Sequence, residues 1–144
     1  YDRFISKQIE FIQTITEFNS HLGKQFTIIL NDFKNPKLHA LKREIFNDQQ
    51  QNELKKTVVT DEEFIMIYKI FLILNNLFKK YQQEKNLLKK QVEFKVFFSF
   101  IEKSLRSNKV NKFWDIQHHN FSKNFVTFIN SVKKHGIKNI DKLL

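Results

Sequence analysis

The chain has 144 residues, of which 41% are hydrophobic and 28% charged, so it is too apolar for disorder and long enough to bury the core of one domain spanning residues 1–144. Its longest apolar run, Phe64–Leu74, is interrupted by Lys69 and falls short of the ~20 residues that a bilayer crossing needs. There is no cysteine, which excludes disulfides and thiol chemistry and agrees with a cytoplasmic location.

The start carries no secretory pattern, and the first residue is Tyr1 rather than Met, as expected of a processed product or a piece of something longer. Apolar residues at 4, 11, 15, 18, 22, 29 and 33 keep helical phase and predict one amphipathic helix from about Asp2 to Lys34, with Gly23 inside it. Asn35-Pro36 breaks it, because the residue before a proline is pushed out of the α region. A weaker helical stretch over about Lys37–Lys56 turns Leu38, Leu41 and Ile45 inward and leaves Gln49–Gln51 exposed.

Thr60-Asp61-Glu62-Glu63 has the form of a capping box, in which the Thr60 hydroxyl and the Glu63 carboxylate each satisfy the other's backbone N–H. Behind it, Phe64, Ile67, Phe71, Leu74, Phe78 and Tyr81 step by three and four, the stripe of a helix packed between neighbours. That helix either stops near Lys90 or runs on through Val92, Val96, Phe97, Phe100, Ile101 and Leu105. Ser107-Asn108 reads as a turn, and a last long helix takes in Phe113, Trp114, Phe121, Phe125, Phe128 and Val132 before Gly136 stops it. The expected architecture is all-α, an elongated bundle of about four to six helices around a Phe-rich core.

The charge is unevenly placed. Residues 1–72 hold ten Lys and Arg against ten acids, whereas residues 73–144 hold fifteen against five, so all of the net +10 lies in the second half. Such asymmetry marks a surface for phosphate-bearing partners, whether non-specific nucleic acid or acidic lipid, or equally the solvated face of a lysine-rich composition in which Lys outnumbers Arg 22 to 3. Lys79, Lys80, Lys85, Lys89 and Lys90 are the first candidates for that contact, and Lys109, Lys112, Lys123, Lys133 and Lys134 decorate the last helix. With arginine nearly absent and the aromatics in core phase, neither bidentate base reading nor base stacking is expected.

Bond-making chemistry finds no support. Neither of the two glycines falls in a phosphate-cradling loop, and no serine or cysteine stands in a recognised nucleophile setting. His118 and His119 are adjacent and therefore point ~100° apart on a helix, a poor chelating pair, and His118 falls in the Trp114/Phe121/Phe125 stripe as a satisfied, partly buried histidine. No cofactor and no metal are expected.

A protein-binding bundle is the remaining class. Glu10-Phe11-Ile12-Gln13-Thr14-Ile15-Thr16-Glu17-Phe18-Asn19-Ser20-His21-Leu22 resembles the first helix of Dbl-homology domains, the helical exchange factors for Rho-type GTPases, with Glu10, Phe11, Thr14, Phe18 and Leu22 at the matching positions. Ile15 and Asn19 depart from that pattern, standing where the family usually has Glu and an aliphatic residue. Downstream, Thr60-Asp61-Glu62-Glu63-Phe64 with Ile67-Tyr68 and Phe71 is similar to the acidic opening of a later helix, although Ile70 replaces a frequent Asn; Phe113-Trp114 with His119-Asn120 is similar to aromatic and polar positions further on. The resemblance implies a domain that binds the nucleotide-free GTPase, with Glu10 at the switch region and Thr14 one turn along the same face, and exchange by differential affinity rather than acid–base catalysis. The family's Pro-Gln-Arg helix and the long helix after it have no counterpart, so the resemblance covers the front portion of such a domain, inactive as it stands; an unrelated bundle is the alternative.

Overall fold

The computed structural model describes residues 21–46, 57–83 and 97–136. Among them every regular element is helical: α1 (His21–Asp32), a 3₁₀ turn at Pro36–Leu38 leading into α2 (His39–Phe46), α3 (Asp61–Gln83), α4 (97–105), α5 (Asn108–Gln117), a second 3₁₀ turn at His118–Asn120, and α6 (Lys123–His135).

The local signals act where the sequence places them. α1 runs through Gly23, whose carbonyl accepts a hydrogen bond from Thr27 Oγ1 at 2.9 Å. Asn35 caps the Pro36–Leu38 turn by accepting from the Lys37 N–H, with proline in the first turn, where a missing N–H costs nothing. The capping box forms in full, Glu63 N–H donating to Thr60 Oγ1 at 3.2 Å and Thr60 N–H to Glu63 Oε1 at 3.0 Å. Ser107 caps α5 by accepting from the Val110 N–H, and Gly136 ends α6 at φ 71°, its N–H donating to the Val132 carbonyl.

Packing is organised by α3. Of its predicted stripe, Ile67, Phe71, Leu74, Phe78 and Tyr81 are buried, and half-buried Phe64 sets its ring 5.1 Å from that of Phe113. The Phe71 ring stacks on Phe113 and Trp114 and meets Phe125 edge-on. Further along, Phe78 stacks on Phe128 at 4.7 Å while Tyr81 meets Phe98 edge-on at 5.0 Å. Phe26, Phe46 and Phe100 tie α1, α2 and α4 together. Aromatic pairs in these offset and edge-on arrangements gain ~0.5–1.5 kcal/mol each beyond the area they bury. Asp32 pairs with Lys69, and Lys37 with Glu62 at 3.4 Å; this order makes α1 and its extension antiparallel to α3. Asn75 meets Ser122 and Phe78 meets Phe125, so α6 runs parallel to α3.

One element departs from the expected order. The single long helix through Phe113 and Val132 is two helices, α5 and α6, separated at His118–Asn120, with Phe121 extended at φ −109° and ψ 165°. The apolar spacing survives such a break, which is why periodicity does not reveal it. In a continuous helix Trp114 and Asn130 would stand ~24 Å apart. Instead α6 folds back, and the Trp114 indole N–H donates to Asn130 Oδ1 at 2.9 Å.

Candidate anion-binding surface

The sequence-derived candidates fall in three groups. Glu10, Thr14, Lys85, Lys89 and Lys90 lie outside the described residues, as do Gln49–Gln51 and the join between α3 and α4. Lys79 and Lys80 are exposed on the last turns of α3. On α5 and α6 the lysines divide between structural and free, and this division decides what the surface can do.

Two of the lysines assigned to phosphate contact serve the interior instead. Lys109 Nζ lies 2.9 Å from Glu63 Oε1 and 2.9 Å from the Val58 carbonyl, and the pair is deeply buried, the carboxylate side chain being 1% exposed and the lysine 15%. Glu63 is thus held by the capping box and by an ammonium at once, although its Oε2 has no hydrogen-bond partner. Lys112 donates to the Thr57 carbonyl, so α5 grips residues 57–60 at two points. Beside this contact, Glu44 of α2 accepts from Ser107 Oγ at 2.9 Å and from the Lys109 N–H at 3.3 Å, placing a carboxylate at the N-terminus of α5, where the helix dipole favours it. These groups lock three elements together and leave no cation free for a ligand.

The remaining lysines face outward. Lys133 lies 3.5 Å from Asp115, and Arg106 pairs with Glu102. Lys79, Lys80, Lys123 and Lys134 are exposed and have no carboxylate partner among the described residues. The reason is in the sequence: neither residues 64–83 nor residues 116–136 contain a single acid. α3 and α6 run side by side, so these two stretches bring no carboxylate of their own to the face they share; the acids that border it come from other elements, Asp115 of α5 beside Lys133 and Glu102 of α4 beside Gly136.

On α6, Lys123, Thr127, Asn130 and Lys134 are all exposed and step by four, three and four. At 100° per residue they fall within about 60° of one another, a single stripe ~16 Å long with an ammonium at each end. The amide at its middle has a fixed orientation. An indole N–H can only donate, so Trp114 engages the Asn130 oxygen and leaves the NH₂ group as the free donor. At the neighbouring edge, Ser122 Oγ donates to Asn75 Oδ1 at 3.2 Å, again occupying the amide's oxygen. The free groups on this face are therefore predominantly donors and cations. Sequence reading missed Asn75, Asn130 and Thr127. The polar period of α6 and the absence of acids were legible, whereas the amide orientations depend on the fold-back.

An open groove of about 480 Å³ lies between α1 and α3, with Leu38, Ile65 and Met66 as its apolar lining and Asn31, Asn35, Asp32, Glu62 and Lys69 around them. Its charges cancel across the groove in the Lys69–Asp32 and Lys37–Glu62 pairs. The Glu62 carboxyl is held below its ordinary value, first by its own backbone N–H at the start of α3 and then by the hydrogen bond and charge of Lys37. Burial lowers the Lys42 ammonium on α2 below the usual lysine value.

His118 is partly buried, with Nδ1 3.0 Å from the Trp114 carbonyl, as a satisfied histidine should be. Among the described residues no three His, Asp or Glu side chains gather where a metal ion could sit, and no helix is long and apolar enough to cross a membrane. Comparison with protein-family models, with curated proteins and with solved structures returns no match.

Proposed function

We propose that this chain is a binding domain that holds a phosphate-bearing polyanion on the lysine-bearing face formed by α3 and α6. The observation that carries the reading is the contrast between two sets of lysines. Lys109 and Lys112 are consumed by the interior, whereas Lys79, Lys80, Lys123 and Lys134 stand exposed with no carboxylate partner among the described residues. Coulombic attraction to such a face is long-ranged at low salt and screened over ~8 Å at physiological ionic strength. Binding to labelled inorganic polyphosphate across a salt titration tests this. The affinity is expected to fall linearly on a log–log scale as bound counterions are released, and an affinity unchanged by salt would overturn the reading.

A second reading, a domain that binds a nucleotide-free Rho-type GTPase, is favoured by one feature. Helix α3 opens at Asp61 behind Thr60 and carries Ile67, Tyr68 and Phe71, in the order the Dbl-homology resemblance implies. Within α3, however, Glu63, Ile67 and Phe71 are buried and supply no contact, and Phe113-Trp114 lies in α5 while His119-Asn120 lies in the 3₁₀ turn beyond it. The reading therefore rests on Glu10 and Thr14. Capture of a nucleotide-free GTPase in preference to the GTP-loaded form, lost in Glu10→Ala at unchanged stability, would establish it; absence of capture would remove it.

A further inference from the structure

The stripe on α6 is more specific than a basic patch. Its two lysines stand ~16 Å apart along the helix, a separation that spans the ~12 Å width of a B-form major groove with one ammonium at each lip. Between them lie the Thr127 hydroxyl and the Asn130 NH₂ group, the latter left free because the Trp114 indole occupies the amide oxygen. No large hydrophobic side chain is exposed on α6, so the helix lacks the apolar face that an interfacial membrane helix buries among lipids. Nor does the stripe offer an aromatic platform on which unpaired bases would stack, because Phe121, Phe125 and Phe128 are all buried. A lipid surface and a single strand are each the poorer fit.

Building on the polyanion reading, we infer that the α6 stripe Lys123–Thr127–Asn130–Lys134 binds duplex DNA through its phosphates, without reading sequence. Lys123 and Lys134 neutralise phosphates on the two strands, and Asn130 and Thr127 donate to backbone oxygens between them. Lys79, one turn along α3 from Asn75, lies alongside the first turns of α6 and widens the contact.

The test compares a labelled mixed-sequence DNA duplex, the corresponding single strand and phosphatidylserine vesicles, each titrated with wild type, Lys123→Gln, Lys134→Gln and Asn130→Asp. Asn130→Asp is informative because aspartate keeps an oxygen for the Trp114 indole while replacing the outward NH₂ donor with a negative oxygen. The expected result is duplex binding that loses about one unit of salt slope for each lysine removed. In Asn130→Asp, the affinity should drop about tenfold at low salt as a like charge enters the contact, with Tm unchanged. If the duplex binds but none of the three variants alters it, the stripe is not the contact and the inference fails, while a polyanion site elsewhere stands. Preference for vesicles or for the single strand over the duplex likewise overturns the inference alone. If no polyanion binds at low salt, both the inference and the reading beneath it fall.

Discussion

Replacing Lys109 by Met would test the internal lock most sharply. The substitution keeps the side-chain length and removes the charge that faces Glu63, a residue 1% exposed. Glu63 Oε1 would still accept from the Thr60 N–H, but Oε2 already has no partner, so a buried carboxylate would be left with one backbone donor. Removing one partner of a buried ion pair costs about 3–5 kcal/mol, far above the ~0–1 kcal/mol of an exposed pair. The loss at the Val58 carbonyl adds little, since Val58 is exposed and water can replace the ammonium. For a domain of this size each kcal/mol moves Tm by about 2–4 °C, so Lys109→Met should unfold about 6–20 °C below wild type. Glu63→Gln should cost less, about 1–2 kcal/mol, because it keeps the capping acceptor and leaves a lysine that can reach water. The double variant should be less destabilised than the two singles together, with a coupling of about 1 kcal/mol or more. Urea or thermal unfolding followed by circular dichroism measures all three. A Lys109→Met protein within ~1 kcal/mol of wild type, or a double variant that is simply additive, would show that the pair behaves as a surface bridge and would refute the argument.

Other perturbations probe separate parts of the fold. Phe71→Ala removes the ring that joins Phe113, Trp114 and Phe125 and should destabilise by about 3–5 kcal/mol in chemical denaturation, the range for truncating a large core aromatic. Gly136→Ala should cost about 1–3 kcal/mol from backbone strain alone, because φ 71° with ψ −175° is a region that suits glycine, whereas the added Cβ would meet only Glu102 Oε2 at an ordinary 3.7 Å. The Glu62 pKa, lowered first by its own backbone N–H and then by Lys37, gives a small stabilisation that is present above the ordinary value of 4.5 and lost as pH falls through the folded value; Glu62→Gln should therefore flatten the acid limb of a Tm-against-pH profile, and an unchanged limb would count against the lowered value.

Much of this fold is written in short-range chemistry. The Thr60–Glu63 box, the Asn35-Pro36 break and the Gly136 stop each depend on residues within four positions, and each acts where the sequence places it, whereas at Ser107-Asn108, read as a turn, Ser107 is the cap of a helix that already includes Asn108. The α3 stripe was equally legible because three- and four-residue steps have one meaning when sustained over five turns. What periodicity could not convey was the division of α5 from α6, since Trp114, Phe121 and Phe125 face one core whether or not the helix continues between them. The fates of the lysines were hidden for a related reason. Lys109 and Lys123 look alike in sequence, and only the approach of Glu63 across 46 residues makes one structural while the other stays free. The candidate surface was thus visible as an excess of charge, but its members could be sorted only by the packing of α5 against the start of α3.

The measurement that bears most directly on the proposed function is a comparison of two charge-matched variants in polyphosphate binding at low salt. In one, Lys79, Lys123 and Lys134 are reversed to Glu; in the other, exposed Lys24, Lys34 and Arg43 of the opposite half are reversed instead. Both lower the net charge equally, so a protein that binds polyanions by overall charge alone would lose affinity to the same extent in each. Binding abolished by reversal of the α3–α6 face and largely kept by reversal of the other half is the predicted result. Equal losses in the two variants would contradict a dedicated anion-binding face.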